Sequence, residues 1–284
     1  MPYRARRAAT VAIALTVLLV VVGYAAYRAF ERVTATPPAP GCQAGTGTQA
    51  VSLDTGQAGI AAIIAGVAAR HELPRRAITI ALATALQESD LENLPYGDRD
   101  SVGVFQQRPS QGWGTAADLQ NPVYATTRFF AALVQIPRYT KIPVDQAAQD
   151  VQHSADGSAY AENEYVATLL SGDLTGQPPH AVTCWYTPAA KPRADVTQAR
   201  QALRETFGSP ERNGLAVQVS NVTLSHVPKA AGWAAASWLV THAEEYQISE
   251  VRYASYEWKA ADGNMGWQRD ANPKGTPASG IVAS

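Results

Sequence analysis

The sequence has no surplus of charge: 23 Lys and Arg face 24 Asp and Glu, for a formal net charge of −1. Without a basic excess there is no global electrostatic reason to bind nucleic acid, so nucleic acid is not an expected partner. Histidine is scarce and scattered. His71, His153, His180, His226 and His242 include no pair at His-x-x-x-His spacing, the arrangement that puts two imidazoles on one helix face. Each reads as a surface or hydrogen-bonded core histidine, and neither a metal nor a cofactor is expected. Cysteine is limited to Cys42 and Cys184, and no internal repeat or long stretch of disordered composition is visible. Apolar residues make up 46% of the 284, enough for an anchor plus one sizeable domain or two small ones.

What is present is clearest at the N-terminus. Residues 8–27 carry no charge, and at ~1.5 Å per residue they are long enough to cross a ~30 Å hydrocarbon core. Arg4, Arg6 and Arg7 precede them, so residues 1–7 read as a cytoplasmic tail and the rest of the chain as extracytoplasmic. Tyr24 and Tyr27 sit where interfacial aromatics belong. The run is longer than the about 7–15 apolar residues of a signal peptide and no Ala-x-Ala site follows, which favours an uncleaved single-pass anchor in a bacterial cell membrane. Lipid attachment at Cys42 is disfavoured by Pro40 before Gly41 and by the distance from the apolar run. On the exported side, oxidising conditions make a Cys42–Cys184 disulfide the expected state. Closing so long a loop stabilises by up to ~4–5 kcal/mol in the chain-entropy model.

Residues 28–53 read as a linker, rich in Pro, Gly and Thr from residue 34 to 48. Asp54 with Gln57 has the pattern of a capping box, opening a helix with Ile60, Ile63, Ile64 and Val67 on its apolar face. Pro74 opens a second helix with Ile78, Leu82 and Ala85 on one stripe, ending at Glu88-Ser89. Residues 93–114 form a polar, Gly-containing segment. Asn121-Pro122 and Pro143 open two more helices, and residues 158–170 form a fifth, stopped by Gly172. Residues 54–174 are therefore expected as a mainly α domain. Residues 175–208 read as a Pro-rich linker and a short helix. Residues 209–284 read as a small α+β domain, with strands at 215–219 and 251–258, a helix at 233–243 and a turn at 261–264.

Glu88 is the candidate catalytic residue. Cleavage of a glycosidic bond needs a proton donor for the leaving oxygen, and a carboxyl group serves when its neutral form is favoured. At the end of an apolar helix, the helix dipole and partial burial both act in that direction. Ser89 is placed to hold the carboxyl group. The following loop offers close backbone approach at Gly103, an aromatic face at Phe105 and the amides of Gln106 and Gln107, while Tyr96, Trp113 and Tyr124 add rings for sugar stacking. Asp98 and Asp100 are candidates for a second carboxylate that positions water.

The run Ala85-Leu86-Gln87-Glu88-Ser89, followed by Gly103-Val104-Phe105-Gln106-Gln107 and by Asn121-Pro122, resembles the ordered motifs of lysozyme-like lytic transglycosylases and goose-type lysozymes. The resemblance covers about residues 55–172. It implies a lysozyme-like fold, Glu88 as general acid/base, and a cleft shaped by Gly103 and Gln106. Ala159-Tyr160 echoes a further motif of that family, without its Asn and Gly, and makes Tyr160 a substrate-binding candidate. If neither Asp98 nor Asp100 directs water, the resemblance to transglycosylases implies attack by the substrate's own 6-hydroxyl and an anhydro-sugar product. The C-terminal segments resemble a zinc-peptidase-like domain found attached to exported cell-wall enzymes. The places for its metal ligands hold Glu211, Gln218, Gly280 and Val282, a set unable to rebuild a His/Asp zinc site, so that domain is expected to be catalytically inactive.

Two functions remain open. The first is a membrane-anchored enzyme cleaving the glycan strands of peptidoglycan. The second is a non-catalytic wall-binding or assembly protein that holds glycan in the same cleft. Transport is disfavoured, because one helix without intramembrane charge provides no pathway.

Overall fold

The computed structural model describes residues 17, 18, 20–24, 39–153, 158–187, 194–208, 215–220, 222–227, 229–271 and 280–284. The expected span at residues 8–27 lies largely outside these. Residues 17, 18 and 20–24 are helical and exposed, and no helix among the described residues is long and apolar enough to cross a membrane. Residues 1–39 form one unit and Pro40–Ser284 a second. All that follows concerns the second.

Helix starts fall where capping chemistry places them. Asp54 caps α1 (Thr55–Arg70) by accepting from the Gln57 amide at 2.7 Å, and the Gln57 side chain accepts from the Asp54 N–H at 3.0 Å. Pro74 precedes α2 (Arg75–Ser89), which ends at Asp90 in the left-handed region with φ 54°. Residues 77–85 of α2 are all buried, so it is a central helix rather than a surface helix with one apolar stripe. Its Ala-rich sequence lets neighbouring helices approach on every side. After the short α3 (Ala116–Leu119), Asn121 accepts from the Val123 and Tyr124 amides at 2.9 and 3.2 Å to cap α4 (Pro122–Leu133). Next comes α5 (Val144–Gln152). The helix expected over 158–170 is two helices, α6 (Ser158–Glu162) and α7 (Glu164–Leu174), separated at Asn163. Gly172 does not stop α7. A Cβ there would lie 2.7 Å from the Gln177 carbonyl oxygen, so the glycine admits the returning chain. The last helices are α8 (Val196–Phe207) and α9 (Gly232–Thr241).

Two sheets accompany the helices. In the first, β1 (Gly41–Ala44) lies between β2 (Val51–Leu53) and β3 (Val182–Trp185), all antiparallel. Cys42 stands opposite Cys184 in this register and is disulfide-bonded to it across a sequence separation of 142. The segments read as linkers, 28–53 and 175–208, therefore contribute three strands. Strands of three or four residues are too short to show alternation, and although β1 and β2 form a local hairpin, the β1–β3 pairing joins segments remote in sequence. The second sheet contains β4 (Leu215–Val219), β5 (Val222–Val227), β6 (Glu250–Tyr253), β7 (Tyr256–Lys259), β8 (Gln268–Arg269) and β9 (Gly280–Ala283), in the order β5-β4-β9-β6-β7-β8. Among the described residues only β4 and β9 pair in parallel, and there Gln218 faces Val282 and Ala216 faces Gly280. Glu211, the other residue read as replacing a metal ligand, lies outside the described residues.

The mainly helical part and the α+β part share one core, running from Ile64 and Phe129 to Trp238 and Ile281. The strand β3 ties them together. Trp258 Nε1 donates to the Cys184 carbonyl at 3.1 Å, Trp267 Nε1 to the Val182 carbonyl at 2.7 Å, and the Tyr186 hydroxyl to the Val240 carbonyl at 2.6 Å.

Candidate active site

Glu88 occupies the last turn of α2 and is partly buried. Its Oε1 accepts two hydrogen bonds, from the Tyr160 hydroxyl at 2.6 Å and from Gln152 Nε2 at 3.2 Å. Tyr160 comes from α6 and is only 2% exposed, so its hydroxyl is fixed by packing. Gln152, the last residue of α5, also donates to the Phe105 carbonyl at 2.7 Å. One amide group thus joins α5, the Glu88 carboxyl and the 103–107 loop. Glu88 Oε2 makes no hydrogen bond among the described residues.

Ser89 does not hold the carboxyl group. Its buried hydroxyl lies 2.7 Å from the Val104 carbonyl and 3.1 Å from the Ala85 carbonyl, tying the loop to the end of α2. The loop is shaped from within. Val102 and Gln107 exchange backbone hydrogen bonds at 3.1 Å in both directions, and the Gly103 amide donates to the Leu94 carbonyl at 2.7 Å. Gly103 has φ +78°, and a Cβ there would lie 2.4 Å from the Leu119 carbonyl oxygen, so this position requires glycine. Asn93 Nδ2 and Gln120 Nε2 bond across to the Gln120 and Leu94 carbonyls, each at 2.8 Å.

Several expected sugar contacts are committed to this internal framework. Phe105 is 0% exposed and stacks on Phe129 with ring centroids 4.5 Å apart, so it offers no ring to a ligand. Gln107 is buried, and its Nε2 donates to the Ala125 carbonyl at 3.3 Å. Gln106 bonds within the loop, donating to the Tyr96 and Gly103 carbonyls at 3.2 and 3.1 Å while its Oε1 accepts from the Ser101 hydroxyl at 3.0 Å. Tyr96 itself is 69% exposed, so its ring remains accessible. Trp113 and Tyr124 are half-buried and meet through the Tyr124 hydroxyl, 3.4 Å from the Trp113 carbonyl.

The two aspartates differ. Asp98 is highly exposed, and among the described residues its carboxylate meets only Arg99, at 3.7 Å. Asp100 is bound by Arg108 Nε at 2.8 Å, the Ser110 amide at 2.7 Å and the Ser110 hydroxyl at 3.0 Å. The Arg108 hydrogen bond, followed by that of the Ser110 amide, holds its carboxyl well below the usual carboxylate range. Asp100 pins the loop, and neither aspartate is bonded to Glu88.

The arrangement brings Glu88, Ser89 and Tyr160 together with the backbone of Val104 and Phe105. Sequence reasoning missed Gln152. It ends a helix whose buried residues are Val144, Ala147, Ala148 and Val151, and nothing in its neighbours marks it as a carboxyl ligand. The chain matches no protein-family model, and no curated protein matches it.

Proposed function

We propose that the protein is an extracytoplasmic enzyme, held to the bacterial membrane by residues 8–27, that cleaves peptidoglycan glycan strands with Glu88 as general acid/base on a lysozyme-like domain. The observation that carries this reading is the asymmetry of the Glu88 carboxyl group. Two donors occupy Oε1, whereas Oε2 is unbonded. In the neutral acid this makes Oε1 the carbonyl oxygen and leaves the proton on Oε2, free to move to a substrate. Transfer of that proton to the glycosidic oxygen accompanies scission of its bond to the anomeric carbon. The substrate's 6-hydroxyl then attacks that carbon and returns its proton to Glu88, giving an anhydro-sugar without consuming water.

The state of the two aspartates supports this route over hydrolysis. Direction of water calls for a second carboxylate facing the scissile bond, yet Asp100 is engaged by Arg108 and Ser110 and Asp98 stands out in solvent. Mass spectrometry of the products released from purified peptidoglycan tests the proposal. Anhydro-sugar ends are expected. Free reducing ends would replace the transglycosylase route with hydrolysis, and bound but uncut glycan would replace catalysis with the wall-binding function.

A further inference from the structure

A cavity of about 760 Å³ lies where α1, α8, α9 and the start of α4 come together, and Glu88 does not line it. Its volume falls in the range of small-molecule sites, about 300–1,000 Å³. Five carboxylates border it, those of Asp54, Glu92, Glu205, Glu244 and Glu245, with no lysine or arginine in its lining. None of the five forms an ion pair among the described residues. In a chain of formal net charge −1 this is a strong local excess, which favours a cationic occupant. A divalent metal ion is a poor fit, because it needs converging oxygen ligands and no group of three or more His, Cys, Asp or Glu among the described residues is close enough to hold one.

His242 gives an independent indication. It is 8% exposed, stacks on Trp238 with centroids 4.3 Å apart, and lines the cavity. Its Nδ1 lies 2.8 Å from the Trp238 carbonyl oxygen. A carbonyl only accepts, so Nδ1 carries the proton and, in the neutral ring, Nε2 presents a lone pair. Nε2 makes no hydrogen bond among the described residues. Gly59 of α1, another lining residue, stands beside this ring edge, where a Cβ would lie 3.5 Å from Nε2 and 3.7 Å from Cε1. The missing side chain leaves that ring edge uncovered on the α1 side. An N–H of a ligand in the cavity would supply the donor that this lone pair lacks.

We propose that this cavity binds an organic ammonium or guanidinium group on an apolar stem, such as a basic side chain. Its N–H donates to His242 Nε2, the carboxylates supply the counter-charge, and Ile60 and Ile63 receive the stem. Isothermal titration calorimetry on the full-length protein tests this with Nα-acetyl-L-lysine methylamide, using the uncharged norleucine analogue as control. One site per chain is expected, at least tenfold tighter for the lysine compound. Glu244→Gln/Glu245→Gln should weaken it at least tenfold. Gly59→Ala, compatible with a helix, should weaken it at least tenfold by covering the Nε2–Cε1 edge of His242 while leaving the thermal melt intact. Glu88→Gln should bind as the parent does, which keeps this site separate from the catalytic proposal. No binding, equal binding of the two compounds, insensitivity to the double Gln substitution, or stoichiometric displacement by calcium chloride would each overturn the proposal.

Discussion

The hydroxyl of Tyr160 and the amide of Gln152 converge on one oxygen of Glu88, but they do different work. Gln152 is shared with the Phe105 carbonyl, whereas Tyr160 makes the shorter bond, at 2.6 Å. Tyr160→Phe removes that bond while the buried ring stays packed in place. Hydrogen bonds to groups that carry charge contribute about 1.5–3 kcal/mol, so glycan cleavage should slow about ten- to hundredfold with little change in melting temperature. An unchanged rate would show that Tyr160 does not position the acid. Asp173, in α7, lies outside this site and is only 5% exposed, with Oδ2 buried and unbonded. Burial raises its carboxyl to about 6, and nearby Arg75 is bonded to Gln177 at 2.7 Å. Below pH ~4 the group is protonated whether the chain is folded or not. Between pH ~4 and 6 the unfolded chain has ionised this group while the folded chain still holds its proton, so stability falls progressively, by up to about 3 kcal/mol once pH exceeds 6. Asp173→Asn should remove that loss. Melts at pH 5 and 7.5 should differ less in the variant than in the parent, and an equal pH difference would contradict this account.

At the scale of elements, the loop from residue 93 to 114 depends on a few side-chain ties, and Ser89 provides the one that joins it to α2. Ser89→Ala removes the 2.7 Å bond to Val104 and leaves a buried carbonyl without that donor. The expected cost is about 1–2 kcal/mol by chemical denaturation, with faster amide exchange in residues 103–107. Protection unchanged from the parent would show that the loop holds itself. Which elements were legible in the sequence follows from the range of the interactions that make them. Asp54 with Gln57, Pro74, and Asn121 with Pro122 are local capping signals, and the helices begin beside them. β1, β2 and β3 carry no such signal, because each is too short to show alternation and β3 meets β1 through a pairing distant in sequence. Glu88 and Tyr160 were marked by motif. Gln152 was not, and the inward turn of Phe105 and Gln107 was hidden because a motif names residues without saying which way they face.

At the scale of the whole molecule, the disulfide closes the chain around its helical part and anchors β3, the strand on which Trp258 and Trp267 rest. Constraint of a loop this long in the unfolded chain predicts that Cys42→Ala/Cys184→Ala loses about 4–5 kcal/mol, as an upper bound. Because both parts share one core, they should unfold in a single transition in the parent and the variant. A loss below ~1 kcal/mol would contradict the loop-closure argument, and two separated transitions would contradict the shared core.

The central claim is that Glu88 transfers the proton from Oε2, and Glu88→Gln addresses it most directly. Glutamine keeps the size of the side chain and an oxygen for Tyr160 and Gln152, but it lacks a transferable proton. With purified peptidoglycan, the initial rate of fragment release should fall by at least ~10²-fold, the lower end for loss of a general acid, while glycan binding and the thermal melt stay close to those of the parent. Fragment release by Glu88→Gln at the parent's rate would contradict the account.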